Sequence, residues 1–189
     1  MKTKDRIMEV ARKMISEIGY HGTTTAALAK EAGISEGTIY RHFENKEDIL
    51  LHILQELDDK YSAFLQSLRS IKDGEPGTIE RIVKGHVQFT SDNIADLKIV
   101  LSSYALLSPS KQSMTSVIER MHDFFRDCMH RSIQLGVIHE VNVESTAKVL
   151  VALLLGIIQL KLYWPEMKAM ENIDSEAVLF TRRSLVKES

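Results

Sequence analysis

The apolar residues of this chain recur at steps of three and four, and this period constrains the fold more than any other sequence feature. The pattern is clear over residues 7–18 and 50–68, where it places the apolar side chains on one face of a helix. Pro76, Pro109 and Pro165 stand between the periodic segments and interrupt none of them. No stretch alternates apolar and polar residues beside a hairpin turn. The sequence therefore predicts an all-α fold of about nine helices.

The residues between the periodic segments set the helix ends. The first helix is expected over about residues 4–18, closing at Gly19, and two short helices follow at about 25–31 and 35–43. A long helix begins at Asn45, whose side chain can cap it, and continues to about residue 71, where the segment 73–77 ends it. Further helices are predicted over about residues 78–94, 96–107, 110–135, 144–164 and 175–187.

Composition restricts the class of protein. With 44% apolar residues the chain is an ordinary globular protein, and its single cysteine fits a reducing compartment. The longest apolar run, residues 149–158, is about half the length that crosses a bilayer, and the N-terminus lacks the apolar core of a signal peptide. We therefore expect a cytoplasmic protein without a membrane partner. The 24 Lys and Arg against 26 Asp and Glu argue against a broad basic surface for nucleic acid.

The two short helices near the N-terminus have the spacing of a helix-turn-helix. Ala29, Gly33 and Ile39 supply a small residue at a helix crossing, a glycine for a tight turn and an apolar residue that locks the second helix onto the first. The second helix would expose residues 35–38 and 40–42, and its small N-terminal residues would let it enter a major groove. The spacing alone leaves two interpretations open, a DNA-binding motif and an ordinary helical corner with a solvated face.

The residues around this motif carry a family resemblance. They are Ile18-Gly19-Tyr20, Thr23-Thr24-Thr25, Leu28-Ala29, Ala32-Gly33-Ile34-Ser35, Gly37-Thr38-Ile39-Tyr40, His42-Phe43, Lys46-Glu47 and Leu50. With them, the segment from about residue 3 to 60 resembles the N-terminal domain of TetR-type transcriptional repressors. The resemblance implies a helix-turn-helix at 24–43 within a DNA-binding domain of residues 1–46, which extends to about residue 60 by the limits of the family domain. Residues 47–189 would form a helical domain that binds an effector and dimerises.

The resemblance also implies which side chains contact double-stranded DNA. Phosphate contacts fall to Thr24 or Thr25, Tyr40, His42 and Lys46, and base contacts fall to Glu36, Gly37, Thr38 and Arg41. Hydroxyls beside free helix amides, a phenol and an ammonium group suit phosphate oxygens, and a Thr offers a hydroxyl and a methyl to base edges. Glu36 departs from the basic or small residue that many relatives have there. Its carboxylate would either accept from a cytosine amino group or face solvent, and we favour solvent.

The run of residues 149–158 is apolar around the whole circumference of its predicted helix. One face can pack on its own domain and another on a second subunit, with Gly156 permitting close approach. The predicted homodimer interface, to which the last helix contributes a second stripe, comprises Leu150, Leu153, Leu154, Gly156, Ile157, Val178, Leu179, Leu185 and Val186. The alternative is a helix deeply buried in a monomer.

The middle helices are expected to hold a small-molecule effector. Met114, Met121 and Met129 lie close to one helix stripe, where they form either plain core or an adaptable apolar pocket. Polar residues on otherwise apolar faces would orient the ligand. The candidate pocket residues are His86, Gln88, Tyr104, Met121, His122, Phe125 and Arg126. They predict a mainly apolar effector that is aromatic or carries an acyl chain.

Two other classes of function compete with this one. An enzyme needs a constellation of catalytic groups, and the sequence has no glycine-rich phosphate loop, no Gly-x-Ser-x-Gly and no His-Glu-x-x-His. Glu119 and His122 supply one Glu-x-x-His element, but a di-iron bundle needs a second, and Cys128 and His130 face different ways on a helix. We therefore expect no catalytic residue, cofactor or metal. A helical ligand-binding or interaction module that does not touch DNA is the other alternative.

A homodimeric, ligand-responsive transcriptional repressor fits these features best. Its two recognition helices would enter successive major grooves of a pseudo-palindromic operator. An effector in the C-terminal domain would tilt the helix that begins at Asn45 and change the separation of the recognition helices. Residues 1–72 carry 11 Lys and Arg against 11 Asp and Glu, so a monomer should bind DNA poorly. The form that binds DNA tightly would be the dimer, with a few specific contacts per half-site and an affinity that depends only modestly on salt.

Overall fold

The structure is a computed structural model that describes residues 2–69, 77–168 and 171–187. Within these residues it contains nine helices and no strand, which confirms the predicted all-α fold. The helices are α1 (Thr3–Gly22), α2 (Thr25–Glu31), α3 (Glu36–Tyr40), α4 (Lys46–Arg69), α5 (Thr78–Asp92), α6 (Ile94–Ser103), α7 (Ser108–Gln134), α8 (Val143–Tyr163) and α9 (Ile173–Leu185). The predicted end of the long helix at about residue 71 and its predicted breaker over 73–76 lie outside the described residues.

Several helix boundaries differ from the sequence prediction, and α6, for example, ends at Ser103 rather than at about residue 107. α1 extends to Gly22, although Gly19 has a φ of 78° that breaks the regular helix at the predicted place. α7 begins at Ser108, so Pro109 lies in its first turn, where the missing amide proton removes no helical hydrogen bond. α3 is shorter than predicted because the chain turns over residues 41–45 to reach α4.

Backbone contacts divide the chain into two compact units. The first unit comprises Met1–Lys60 and Ala95–Thr115, and the second comprises Tyr61–Ile94 and Ser116–Ser189. α4 is one continuous helix that contributes its first part to the first unit and its last part to the second. The family-based domain boundary at residue 46 stays a prediction.

The first unit contains the helix-turn-helix. α1 packs on α2, and α2 packs on α3. Ala29 and Ile39 are buried, and Gly33 has a φ of 63° in the turn between the two short helices. These three residues take the places that their spacing predicted, so the motif is confirmed.

The core of the second unit lies among α5, α7, α8, α9 and the last part of α4. α5 packs on both α8 and α9, and α8 packs on α9. The largest buried side chains of this core include Tyr61, Ile79, Ile82, Phe124, Phe125, Leu150, Leu154 and Ile157. Aromatic residues of α4, α5 and α7 lie in or against this core.

α8 is long and apolar enough, by length and composition alone, to cross a membrane. The apolar run of residues 149–158 is only the middle part of this helix, which spans Val143–Tyr163. Seven of its residues are buried within the chain. A core helix of a globular domain has the same length and composition.

Candidate functional site

Side-chain caps define both helices of the helix-turn-helix. Thr24 precedes α2, and its hydroxyl accepts a hydrogen bond from the amide of Ala27 at 3.1 Å. Ser35 precedes α3 and accepts from the amide of Thr38 at 3.2 Å, while its hydroxyl lies 2.8 Å from the Thr38 hydroxyl. A five-residue helix is too short to be stable alone. The cap and the burial of Ile39 therefore fix the orientation of α3.

Most of the side chains predicted to contact DNA are exposed. Thr24, Glu36, Gly37, Tyr40, Arg41 and His42 are exposed, and Thr25, Thr38 and Lys46 are half-buried. The Tyr40 ring is 52% exposed, although an aromatic ring gains free energy on burial. An exposed phenol at the end of α3 suits a contact that forms only when a partner is bound.

Glu36 is exposed, but its carboxylate is not free in solvent. The hydroxyl of Thr25 donates to Glu36 Oε1 at 2.5 Å and also lies 3.2 Å from the hydroxyl of Tyr40. Glu36, predicted to read a base or face solvent, therefore orders Thr25 and Tyr40, which are predicted to contact phosphates. The prediction that Glu36 faces solvent did not include its hydrogen bond with Thr25.

Lys46 makes a contact that the family-based assignment did not include. Its ammonium group donates to the backbone carbonyls of Tyr20 and Thr23, both at 2.8 Å, and lies 4.2 Å from the centre of the Tyr20 ring. Partial desolvation lowers the pKa of Lys46. Lys46 thus ties the start of α4 to the end of α1, which positions the helix-turn-helix whether or not the ammonium group also meets a phosphate.

A buried carboxylate joins three helices of the first unit. Asp96 on α6 has a side chain that is 5% exposed, and it accepts hydrogen bonds from Arg12 on α1 at 2.8 Å and from Lys60 on α4 at 3.0 Å. Arg12 also pairs with Glu56 on α4. Burial opposes the charge of Arg12, but the attraction of Asp96 and Glu56 outweighs it and raises the pKa of Arg12. Asp96 is therefore the electrostatic link between α1, α4 and α6.

His86 lies in an aromatic cluster inside the second unit. Its side chain is 3% exposed and stacks on Phe125, with ring centres 5.0 Å apart. His86 Nδ1 lies 2.9 Å from the carbonyl oxygen of Ile82, and because a carbonyl only accepts, Nδ1 carries the proton. Nε2 is then a hydrogen-bond acceptor, and it has no partner among the described residues. Burial lowers the pKa of His86 to about 4, so the ring is neutral near pH 7.

Tyr61 brings a second unpartnered polar atom to the same cluster. Its ring centre is 6.3 Å from that of His86, and its hydroxyl has no hydrogen-bond partner in the described part of the chain. Burial raises the pKa of Tyr61, so the hydroxyl stays protonated. Phe64 contacts the His86 ring at 4.9 Å, Phe89 contacts the Tyr61 ring at 5.4 Å, and the two phenylalanines stack on each other at 4.8 Å. We call Tyr61, Phe64, His86, Phe89 and Phe125 the aromatic cluster.

Burial of neutral His86 makes stability depend on pH. The unfolded chain binds a proton at His86 near pH 6.5, whereas the folded chain binds it only near pH 4. Stability should therefore fall as the pH drops from about 6.5 to about 4, by up to about 3 kcal/mol from this residue. We expect His86→Phe to remove this part of the loss. Urea unfolding of both proteins at about pH 7 and about pH 4.5 measures it, and equal losses in the two proteins would contradict the assignment.

Three of the predicted pocket residues are buried in the second unit. His86, Met121 and Phe125 lie in its core. Gln88 is instead exposed and donates to a carboxylate on its own helix at 2.8 Å. Tyr104 is 45% exposed and belongs to the first unit. The assignment of these residues to one effector pocket stays a prediction, because helical period alone does not tell which helix faces meet.

His122 and Arg126 lie near the surface of the second unit. Arg126 donates to the carboxylate of Asp123 at 2.7 Å, and His122 Nε2 lies 3.5 Å from the Glu144 carboxylate. His122 lines an open groove of about 470 Å³ between α7 and α8, together with apolar residues such as Val151. This groove is separate from the aromatic cluster.

The predicted dimer residues divide into two groups. Leu150, Leu154, Ile157 and Leu185 are buried in the core of their own chain, whereas Gly156 and Leu179 are exposed and Leu153, Val178 and Val186 are half-buried. The exposed apolar face of α8 and α9 also includes Val149 and Phe180, each 57% exposed, which the sequence analysis missed. A groove of about 310 Å³ runs between these two residues. When a helix is apolar around its whole circumference, its sequence does not indicate which side is buried in the core.

The Glu-x-x-His element of α7 has no metal-binding context here. Among the described residues, no group of three or more His, Cys, Asp or Glu side chains is placed to hold a metal ion. His122 is close to Asp123 at 3.7 Å and to Glu144 at 3.5 Å, which are ion-pair distances rather than metal–ligand geometry.

A family model matches the helix-turn-helix region. Residues 7–53 match the model described as bacterial regulatory proteins, tetR family. The match begins in α1, includes α2 and α3, and ends within α4. It thus contains all the residues predicted to contact DNA.

Similar proteins extend this comparison beyond the N-terminal segment. The fatty acid metabolism regulator protein of Bacillus subtilis is 45% identical over 51 residues, which are 27% of this chain and 26% of that protein. The transcriptional regulator UidR of Escherichia coli is 26% identical over 82% of this chain and 80% of its own length. The TetR family transcriptional regulator PfmR of Thermus thermophilus superposes with a TM-score of 0.76 and 25% identity over 100% of both chains. Residues 7–53 are therefore similar to the DNA-binding segment of the tetR family of bacterial regulatory proteins, and the described residues have the fold of TetR family transcriptional regulators.

Proposed function

We propose that this chain is a dimeric repressor that leaves its operator when a mainly apolar effector binds in the second unit. The observation that carries the DNA-binding part is the capped α3, whose outward residues are exposed while its inward residue Ile39 is buried. A recognition helix must present its N-terminal side chains to base edges from a fixed orientation. The aromatic cluster supports an effector site because it combines apolar walls with two polar atoms that have no partner among the described residues.

The proposed DNA contacts follow from exposure and from the hydrogen bonds of the free protein. Thr24, Thr25, Tyr40 and His42 would contact phosphates, and Gly37, Thr38 and Arg41 would meet base edges. We assign Glu36 to ordering Thr25 and Tyr40, since its carboxylate already accepts from Thr25. Lys46 would act mainly by holding α1 and α4 together, because its ammonium group already donates hydrogen bonds to two backbone carbonyls.

The proposed dimer uses the exposed apolar face of α8 and α9. Val149, Gly156, Leu179 and Phe180 would meet the same residues of a second copy about a two-fold axis. A Cβ at Gly156 would have open space around it, with no side chain or other helix within 4 Å. This side of α8 therefore has room for the close approach of a second helix.

The proposed release mechanism depends on the continuity of α4. The helix begins beside the helix-turn-helix, where Lys46 contacts α1, and its later part contains Tyr61 and Phe64 of the aromatic cluster. Asp96 holds α1, α4 and α6 together, so a shift of α4 would be transmitted to α1. The effector would have to bind the DNA-incompatible state more tightly, and DNA would weaken effector binding by the same factor.

Two substitutions separate the phosphate and base contacts. Tyr40→Phe removes one hydroxyl per subunit and should weaken binding about tenfold to selected and random duplexes alike. Thr38→Ala should lower the preference for the selected duplex over the random one by about tenfold, because it removes a contact with a base edge. Fluorescence anisotropy with a duplex selected from a random library measures both.

The control for these variants is Gln55→Ala, an exposed position of α4. It should change neither the affinity nor the preference. Unchanged binding in Tyr40→Phe, or an unchanged preference in Thr38→Ala, would contradict the corresponding assignment. If the wild-type chain binds no duplex at low salt, the alternative of a helical ligand-binding module without DNA is favoured.

A further inference from the structure

The aromatic cluster contains a polar atom that needs a hydrogen-bond donor. His86 is 3% exposed, and its Nδ1 already donates to the carbonyl of Ile82 at 2.9 Å. Nε2 is therefore the only nitrogen of this ring that can accept, and it has no partner among the described residues. Buried acceptors are normally satisfied by protein, water or ligand. A group that satisfies Nε2 must present an O–H or N–H.

The surroundings of Nε2 exclude a charged partner. The rings around His86 belong to Tyr61, Phe64, Phe124 and Phe125, with centres 4.9 to 6.3 Å away. Among the described residues, Arg120 is a charged group beside these rings; its guanidinium lies 5.3 Å from the centre of the Tyr61 ring and donates to the hydroxyl of Ser62. A carboxylate has no proton to give to Nε2, and an ammonium ion would be buried without a counter-charge. The complementary group is thus an uncharged donor.

Two half-buried side chains cover the cluster. Phe64 and Phe89 stack on each other at 4.8 Å; Phe64 also contacts the rings of Tyr61 and His86, and Phe89 contacts that of Tyr61. A ligand that reaches Nε2 would have to displace at least one of these two half-buried side chains. Its surroundings would then be aromatic faces and edges, which favour another aromatic ring over an alkyl chain.

We propose that the aromatic cluster binds an uncharged aromatic molecule bearing a hydroxyl, a phenol, whose O–H donates to His86 Nε2 while its ring packs against the aromatic side chains of the cluster. This inference rests on the proposed function, since it assigns the chemistry of the effector site. It narrows the effector from any apolar molecule to one with a hydrogen-bond donor on an aromatic ring. The Tyr61 hydroxyl, also unpartnered among the described residues, is the second polar atom near the bound hydroxyl.

Isothermal titration of the full chain without DNA tests the proposal directly. The probes are 4-propylphenol, its methyl ether 4-propylanisole, and 4-propylbenzoate. We expect the phenol to bind about tenfold more tightly than the ether, which lacks only the donor, and the benzoate to bind more weakly than either. Equal affinity for phenol and ether in the wild-type chain would overturn the proposal, because Nε2 would then be satisfied by water or by nothing.

Two variants assign the preference to a particular atom. His86→Phe keeps a ring but removes Nε2, so the tenfold preference for the phenol should fall to about twofold or less while ether binding is retained. Tyr61→Phe keeps Nε2 and should keep the preference. A preference that survives in His86→Phe, or that disappears only in Tyr61→Phe, would overturn the role of His86. If His86→Phe does not fold, the wild-type comparison and Tyr61→Phe still decide.

A separate assay keeps this proposal distinct from the proposed function. Release of a selected duplex on addition of 4-propylphenol is followed by anisotropy. If the phenol binds with the expected preference but releases no DNA, the ligand assignment stands and the release mechanism fails. If DNA binds but the chain does not distinguish phenol from ether, the ligand assignment fails and the DNA-binding function stands.

Discussion

Asp96→Ala is expected to lower the free energy of unfolding by roughly 3 kcal/mol, the lower end of the range for breaking a buried ion pair. Asp96 accepts from Arg12 and Lys60, and its own side chain is 5% exposed. Its removal leaves the Arg12 guanidinium with Glu56 alone, while Lys60, whose side chain is 47% exposed, can turn to solvent. The loss is therefore dominated by Arg12. Urea unfolding followed by circular dichroism measures it.

The matched control for Asp96→Ala is Asp59→Ala. Asp59 is exposed on α4 and accepts a hydrogen bond from Gln55 of the same helix at 2.9 Å. Its replacement should change stability by less than about 0.5 kcal/mol, as for most exposed positions. If Asp96→Ala were no more destabilising than Asp59→Ala, the link between α1, α4 and α6 would not contribute to folding.

Gly156→Arg is expected to convert the dimer into a monomer and to weaken operator binding by about a hundredfold or more. A Cβ at this exposed position would have no side chain or other helix within 4 Å, so we expect the substitution to leave the monomer fold intact. In the proposed dimer the same side chain would place a charge in an apolar helix–helix contact. Each half-site would then have to be bound separately. Sedimentation velocity gives the oligomeric state, and anisotropy gives the affinity for DNA.

Gln66→Arg provides the control for this substitution. Gln66 is an exposed position of α4 in the second unit, so the change adds the same charge elsewhere. It should leave both the dimer and the affinity for DNA unchanged. A Gly156→Arg protein that still sediments as a dimer would exclude the α8 face as the interface.

The helices and the helix-turn-helix were predictable from the sequence because their determinants are local. Ala29, Gly33 and Ile39 are close in the chain, and burial and a left-handed turn at those positions follow from residue size and type. Gly19 likewise breaks α1 where the sequence placed the break. Local spacing was therefore sufficient for the recognition helix and its exposed side.

The electrostatic link and the aromatic cluster were not predictable in the same way. Arg12 and Asp96 are 84 positions apart, and neither residue type indicates a partner. His86 was identified as a polar residue on an apolar face, but helical period does not show that it meets Tyr61 across two helices. Tyr104, which was predicted for the same pocket, belongs to the first unit, and its role in effector binding stays a prediction. The sequence indicates which face of a helix is apolar but not which helices pack on each other.

The exposed apolar face of α8 shows what composition alone cannot predict. α8 is apolar around its circumference, so Leu150 and Val149 look equivalent in sequence, yet Leu150 is buried in the core and Val149 is 57% exposed. Lys46 is a comparable case, because an ammonium group at a helix start suits a phosphate as well as the carbonyls of Tyr20 and Thr23. Only the tertiary contacts separate the two roles.

Selection of bound sites from random duplex DNA tests the central claim most directly. The full chain is incubated with the library at low salt, and bound duplexes are recovered and sequenced over several rounds. A dimer that uses two α3 helices predicts a pseudo-palindrome whose half-sites are centred about one helical turn, or a small multiple of it, apart. Recovery of no enriched sequence, or of a single unpaired half-site, would contradict the account of this chain as a dimeric operator-binding repressor.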